Sequence, residues 1–139
     1  MKPLKKTFLQ FPSDLHKLDD VLSWFEELNH PSIPLKVWLQ CQLALAEGFT
    51  NAVRHAHKGL ASDVLIGIEV TLFPECLEIR IWDSGPPFDL EGRIKILCET
   101  PDETAGSGRG IAILHKIADQ LSYTRTNDQR NCLLIVKHY

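Results

Sequence analysis

Glu47 and Asn51 stand four residues apart in the segment ALAEGFTNAVRHAH, residues 44–57. That spacing puts a carboxylate and an amide on one face of a helix. A carboxylate can take a proton from water or a hydroxyl, and an amide oxygen is a hard ligand suited to Mg2+. The plainer reading of the periodicity is a solvated polar face, with Lys36, Gln40, Glu47, Asn51 and Arg54 together, opposite Leu39, Phe49 and Val53. His55 and His57 are two apart and so fall on different helix faces, which argues against a zinc pair.

A second candidate lies in LEIRIWDSGPPFD, residues 77–89. At a strand's period of two, Leu77, Ile79 and Ile81 share a face, and Asp83 falls in phase with them. A buried carboxylate needs a partner. Asp83 reads either as a turn or capping aspartate, or as an acceptor for a ligand N–H such as the exocyclic amine of adenine. Gly85 would let the backbone pass close to such a ring. The third candidate is AGSGRGIAILHKIAD, residues 105–119, where Gly106, Gly108 and Gly110 open a helix. Unobstructed N–H groups at a helix start favour phosphate, although a loop meeting a helix needs nothing more to explain it. Neither Lys-Ser nor Lys-Thr follows, so it is not a P-loop, and no strand leads into it as a dinucleotide fingerprint requires. A GxSxG element is absent from the sequence.

The elements that must position these groups follow from the hydrophobic pattern. LKKTFLQFP is a strand ending at Pro12, and Ser13 is the expected N-cap of a helix from Asp14 to about Leu28, with Leu15, Leu18, Leu22 and Phe25 on one face. A second helix is expected from about Leu35 to His57, with an apolar stripe of Leu35, Trp38, Leu39, Ala46, Phe49 and Val53. Strands at Val64–Phe73 and Cys76–Asp83 flank a Pro74-Glu75 turn. The stretch from Ser84 to Gly108 is loop-like, with a helical piece in LEGRIKILCE. A third helix begins near Gly108, carrying Ile111, Leu114, Ala118 and Leu121, and the strands LSYTRT and CLLIVKHY close the chain. The expected class is α+β: a two-layer sandwich with helices on one face of a mixed, mainly antiparallel sheet, spanning residues 1–139 as one domain.

Composition bounds the function. With 44% hydrophobic and 24% charged residues, the chain is an ordinary globular one. A net charge of −3 speaks against general affinity for nucleic acid. No apolar run is long enough to span a bilayer, and the basic N-terminus lacks the apolar core of a signal peptide. Cys41, Cys76, Cys98 and Cys132 are scattered without a CxxC pair, as expected of reduced thiols in a cytoplasmic protein.

Each site alone is a weak signal, but their order is specific. Glu and Asn on a helix, Asp-x-Gly at a strand end, a long loop and GxG at a helix start resemble the N, G1 and G2 boxes of the GHKL ATPase superfamily, which has the Bergerat ATP-binding fold. The compact arrangement resembles the bacterial anti-sigma-factor serine/threonine kinases. That resemblance implies ATP and Mg2+ as cofactors, Asn51 as the Mg2+ ligand and Glu47 as the catalytic base. It implies Asp83 and Gly85 at adenine, and Gly106, Ser107, Gly108, Arg109 and Gly110 around the phosphates. Ser84 to Ser107 corresponds to the ATP lid. It also implies partner switching in transcription regulation: phosphorylation of a STAS-domain anti-anti-sigma protein and sequestration of a sigma factor or similar regulator, with a possible homodimer.

Three positions depart from the family pattern. Pro87 replaces the second glycine of the G1 box. Gly106 stands where kinases of this type can carry an arginine, with Arg109 two residues beyond Ser107. CLLIVKHY lacks the late-strand Ser or Thr often found near adenine. Pro87 and Gly106 favour an alternative, an ATP-binding regulatory module that holds a partner without phosphotransfer. A detached histidine-kinase catalytic domain is a third reading, disfavoured because the N-terminal region is too short for a helical hairpin bearing a phosphoacceptor histidine.

Overall fold

The computed structural model describes residues 2–99 and 109–139. Five strands, β1 (Lys5–Pro12), β2 (Leu65–Leu72), β3 (Cys76–Asp83), β4 (Gln120–Arg125) and β5 (Asn131–His138), form one sheet in the order β1-β2-β3-β5-β4. Every neighbouring pair is antiparallel, so among the described residues the sheet is not mixed. The β4–β5 hairpin folds back so that β5 lies beside β3, which sets Asn131 directly across from Asp83. Period-two alternation makes one face apolar: Ile66, Ile68, Val70 and Leu72 of β2, Leu77, Ile79 and Ile81 of β3, and Leu133 and Ile135 of β5 are buried. The other face carries Glu69 opposite Arg80, with Arg80 also 3.0 Å from Glu78.

Helices cover the apolar face. A 3-10 turn (Leu15–Lys17) precedes α1 (Leu18–Glu26). Asp14, rather than Ser13, supplies the cap: its side chain accepts from the His16 N–H. Val21, Trp24 and Phe25 turn inward, whereas Leu15 is exposed. The helix α2 (Leu35–Asn51) buries Trp38, Cys41, Ala44, Leu45, Gly48 and Phe49. Leu35 and Leu39, expected on its buried stripe, are 69% and 53% exposed. Trp38 and Phe49 of that stripe are buried as expected, so the misplaced part is its Leu35 and Leu39 edge. A Cβ on Gly48 would lie 2.5 Å from Ile81 Cδ1, so the helix rests on β3 at that point. Trp38 stacks on Phe25 of α1 with centroids 4.2 Å apart, and burial of each such ring stabilises the fold by about 1.5–3 kcal/mol.

The expected helical piece forms α3 (Leu90–Glu99). Its start is held by Asp89, whose carboxylate accepts from the Gly92 N–H. The last helix, α4 (Arg109–Ile117), packs Ile111, Leu114 and Ile117 into the core. It ends earlier than the pattern suggested, and Leu121 belongs to β4. Cys41, Cys76 and Cys132 are unpaired, and no helix among the described residues is long and apolar enough to cross a membrane.

Candidate functional site

Asp83 ends β3 on the helix-facing side and is 3% exposed. Its carboxylate is already satisfied within the chain. Oδ1 accepts from the Gly85 N–H (3.0 Å) and from Nδ2 of Asn131 (2.8 Å). Oδ2 accepts from the Tyr123 hydroxyl at 2.7 Å. All three neighbours are donors, which is the setting an ionised, acceptor-only group requires. The burial of Asp83 therefore does not by itself demand a ligand, as the turn-aspartate reading of the sequence allowed.

Asn131 and Tyr123 were not among the sequence-derived candidates. Asn131 stands one residue before the expected strand and is 1% exposed. Its Nδ2 also donates to the Gly85 carbonyl at 2.9 Å, and its Oδ1 accepts from Arg125 at 3.2 Å. Arg125 donates to the Gly85 carbonyl as well, at 3.1 Å. The last strands thus clamp the Asp83–Gly85 turn from β4 and β5. The one sequence signal was an Asn at the start of the last strand; its register opposite Asp83 comes only from the fold. Tyr123 is half-buried; burial, then the hydrogen bond and charge of Asp83, push its phenol pKa upward.

The other side of the turn is closed by the end of the second helix. Beyond Asn51 the α-helix widens into a π-helical turn (Ala52–Ala56), where the His57 N–H donates to the Ala52 carbonyl five residues back. His57 is buried, and its Nε2 accepts from the Ser84 N–H at 2.8 Å. Nδ1 must then carry the ring proton, and it is the one buried side-chain polar atom without a partner among the described residues. Burial lowers the imidazole pKa, against the opposing charge of Asp83. A Cβ on Gly85 would lie 2.0 Å from the Ala56 carbonyl oxygen. Gly85 is thus required by the approach of the turn to the helix end, whatever else it permits.

Glu47 and Asn51 project from α2 one turn apart, both half-buried, with no hydrogen-bonded side-chain partner among the described residues. The start of α4 comes against Glu47: a Cβ on Gly110 would lie 2.7 Å from Glu47 Oε2. A cavity of about 200 Å³ lies beside these groups, lined by Asn51, His55, Ala56, Pro86, Phe88, Arg93, Ile111 and Tyr123. Burial and the cations Arg93, Arg54 and Lys58 hold the His55 imidazole below its usual range. A cavity with two aromatic rings, an amide and an arginine in its lining has surface for a flat ring and polar groups for an anionic tail.

The described residues therefore bring together Glu47, Asn51, Asp83, Gly85 and Gly110. Gly106, Ser107 and Gly108 lie outside them, and so does the side chain of Arg109, whose backbone begins α4. No cluster of three metal-ligating side chains occurs among the described residues.

Comparison with known proteins agrees with this layout. The chain is 42% identical over 52 residues to the serine-protein kinase RsbW of Listeria monocytogenes, a match covering 37% of this chain and 32% of that protein. It is 28% identical over 85 residues to RsbW of Bacillus licheniformis, covering 58% of this chain and 53% of the relative. The matches thus span a third to about half of those kinases. One chain of the SiaB–SiaC complex from Pseudomonas aeruginosa has the same fold, with a TM-score of 0.60 at 11% identity over 96% of this chain and 89% of that one. The profile of the histidine kinase-like ATPase domain matches residues 11–137, from the end of β1 through nearly all of β5. Since that span includes the clamped aspartate turn, the Glu-Asn helix and the cavity between them, the chain belongs to the histidine kinase-like ATPase domain family.

Proposed function

We propose that the chain is an Mg2+- and ATP-dependent protein serine/threonine kinase of a partner-switching system. The carrying observation is that Asn51, Ile111 of the first turn of α4 and Tyr123 line one cavity, with Glu47 one helical turn from Asn51 and against Gly110, and with Asp83 hydrogen-bonded to Tyr123. The fit to nucleotide is chemical. Asp83 offers acceptors to an adenine amine, Phe88 and Tyr123 offer aromatic surface, and Asn51, His55 and Arg93 line the end where phosphates would lie. With Asn51 as the one ligand proposed, Mg2+ would be held mainly by phosphate oxygens and water, as is usual for this ion. Bound there, the metal neutralises charge on the phosphates.

The rest falls to the chain's own groups. Asp83 and its clamp orient the base. Asn51 and the N–H groups at the start of α4 fix the phosphate tail, since phosphoryl transfer depends chiefly on positioning and charge stabilisation. Glu47 takes the proton of an acceptor hydroxyl as that oxygen bonds to the terminal phosphorus and the bond to the ADP oxygen breaks. The acceptor in this reading is a Ser or Thr of a STAS-domain anti-anti-sigma protein, and the unphosphorylated acceptor competes with a sigma factor or similar regulator for the kinase. The RsbW resemblance supports that assignment.

Incubation with labelled ATP and a STAS-domain acceptor tests it. Glu47→Ala is expected to lower label transfer by about 10²- to 10⁴-fold while ATP binding persists. Undiminished transfer removes Glu47 as the base. A second reading, an ATP-binding module that captures a partner without transfer, is favoured by Pro87 and Gly106. Partner capture in Mg·ATP with no label on the partner selects it.

A further inference from the structure

The carboxylate of Asp83 has two unequal ends. Oδ1 takes two donors that belong to the framework, the Gly85 N–H and the Asn131 amide, and the Asn131 amide is itself pinned by Arg125. Oδ2 takes a single donor, the Tyr123 hydroxyl. That donor belongs to the cavity: Tyr123 lines it together with Phe88, whose ring meets the tyrosine ring edge-on with centroids 5.0 Å apart. Oδ2 is therefore the only oxygen of Asp83 that an incoming base can reach without breaking the turn.

We propose that Tyr123 is the resident occupant of this base-reading acceptor, and that a nucleotide binds by replacing the phenol hydroxyl on Asp83 Oδ2 with the exocyclic amine of its base. This rests on the reading of the cavity as an adenine-nucleotide site. The chemistry is an exchange of one donor for another. A phenol O–H and an aromatic amine N–H each satisfy the same carboxylate oxygen, so the buried charge keeps its partner throughout. The Tyr123 ring moves aside with Phe88 as its neighbour, while Asn131 and Arg125 hold Oδ1 and the turn in place. Tyr123 then sets the affinity for nucleotide rather than contributing to it, because every bound base must outcompete the hydroxyl.

Calorimetry with Mg·ADP on the wild-type chain, Tyr123→Phe and Tyr123→Leu tests the proposal, with thermal melts confirming that each ligand-free variant is folded. Removing the hydroxyl is expected to tighten ADP binding by about tenfold in the Phe variant, and the Leu variant should also bind more tightly than wild type. Binding by the Phe variant where wild type gives no signal would support the exchange still more directly. Unchanged affinity in a folded Phe variant overturns the proposal while leaving the nucleotide site standing. Weaker binding overturns it too, since the hydroxyl would then be a contact to the ligand. If neither wild type nor the folded variants bind ADP, the adenine site falls and this inference falls with it.

Discussion

At one end of the cavity Asp83 is gripped by Gly85, Asn131 and Tyr123, and Asn131 is gripped in turn by Arg125. At the other end Glu47 and Asn51 extend from α2 with no hydrogen-bonded side-chain partner among the described residues. The two groups flank the same cavity, through Tyr123 and through Asn51, but are built on different principles. The first is a directional polar network in a buried setting, where each unmet group carries its full desolvation cost. The second leaves its polar groups uncommitted, as the proposed roles toward metal, phosphate and acceptor require. Changes at the clamped end should therefore appear first in stability, and changes at the open end first in activity.

The largest effect belongs to Gly85→Ala. Its Cβ would meet the Ala56 carbonyl oxygen at 2.0 Å, and backbone on both sides leaves no flexible atom to yield. A loss of about 3 kcal/mol in urea unfolding is expected, at the upper end of overpacking costs. Asp83→Asn comes next. The neutral amide can keep its oxygen on the Gly85 N–H and Asn131 Nδ2 and turn its NH₂ to the Tyr123 hydroxyl, which then accepts, but the charge-assisted bonds to the buried carboxylate are lost. It should cost about 1–3 kcal/mol and also strongly weaken ADP binding by calorimetry. If Asp83→Asn keeps wild-type stability, the clamp is not a stability element and the contrast between the two ends is lost.

Gly110→Ala sharpens the contrast from the open end. Its Cβ would lie 2.7 Å from Glu47 Oε2, the far end of a flexible side chain, so the carboxylate can swing away cheaply. Helix propensity should keep stability level or raise it by up to about 1 kcal/mol. Phosphotransfer should nevertheless fall if Glu47 is the base proposed above, because its carboxylate has been moved. Unaltered transfer in a folded Gly110→Ala chain would mean that the resting position of Glu47 does not matter.

The smallest effect is a pH slope. His57 is held neutral, its Nε2 accepting from the Ser84 N–H, and burial depresses its pKa from the usual 6.5. The unfolded chain therefore binds the proton more readily. The contribution of His57 is complete above 6.5 and is lost as pH falls through the depressed folded value. Melting temperature should drop with acidification over that window, and His57→Gln, which keeps an acceptor but does not titrate, should flatten the slope even if its melting temperature is lower throughout.

Much of this was legible from residue types. Period-two runs located β2 and β3, the Glu47–Asn51 spacing placed both on one helix face, and Asp83 in phase with Ile79 and Ile81 announced a buried carboxylate. The misreadings have physical causes. Leu35 and Leu39 looked like core, yet the face that touches the sheet is chosen by how closely Gly48 and Ala44 allow the helix to approach. The Asp14 cap was misread by one position, because Ser and Asp are equally good caps and only the backbone geometry separates them.

By itself, the order of side chains along the chain determined the element types and which groups had to be polar, since hydrophobic periodicity and local spacing act over a few residues. Which donors meet Asp83 was decided only by the fold. Tyr123 and Asn131 lie 40 and 48 residues away and arrive through the pairing of β3 with β5 and of β5 with β4. No local rule reports such partners, because hydrogen bonds across a sheet depend on strand order and register, and those are set by the packing of the whole.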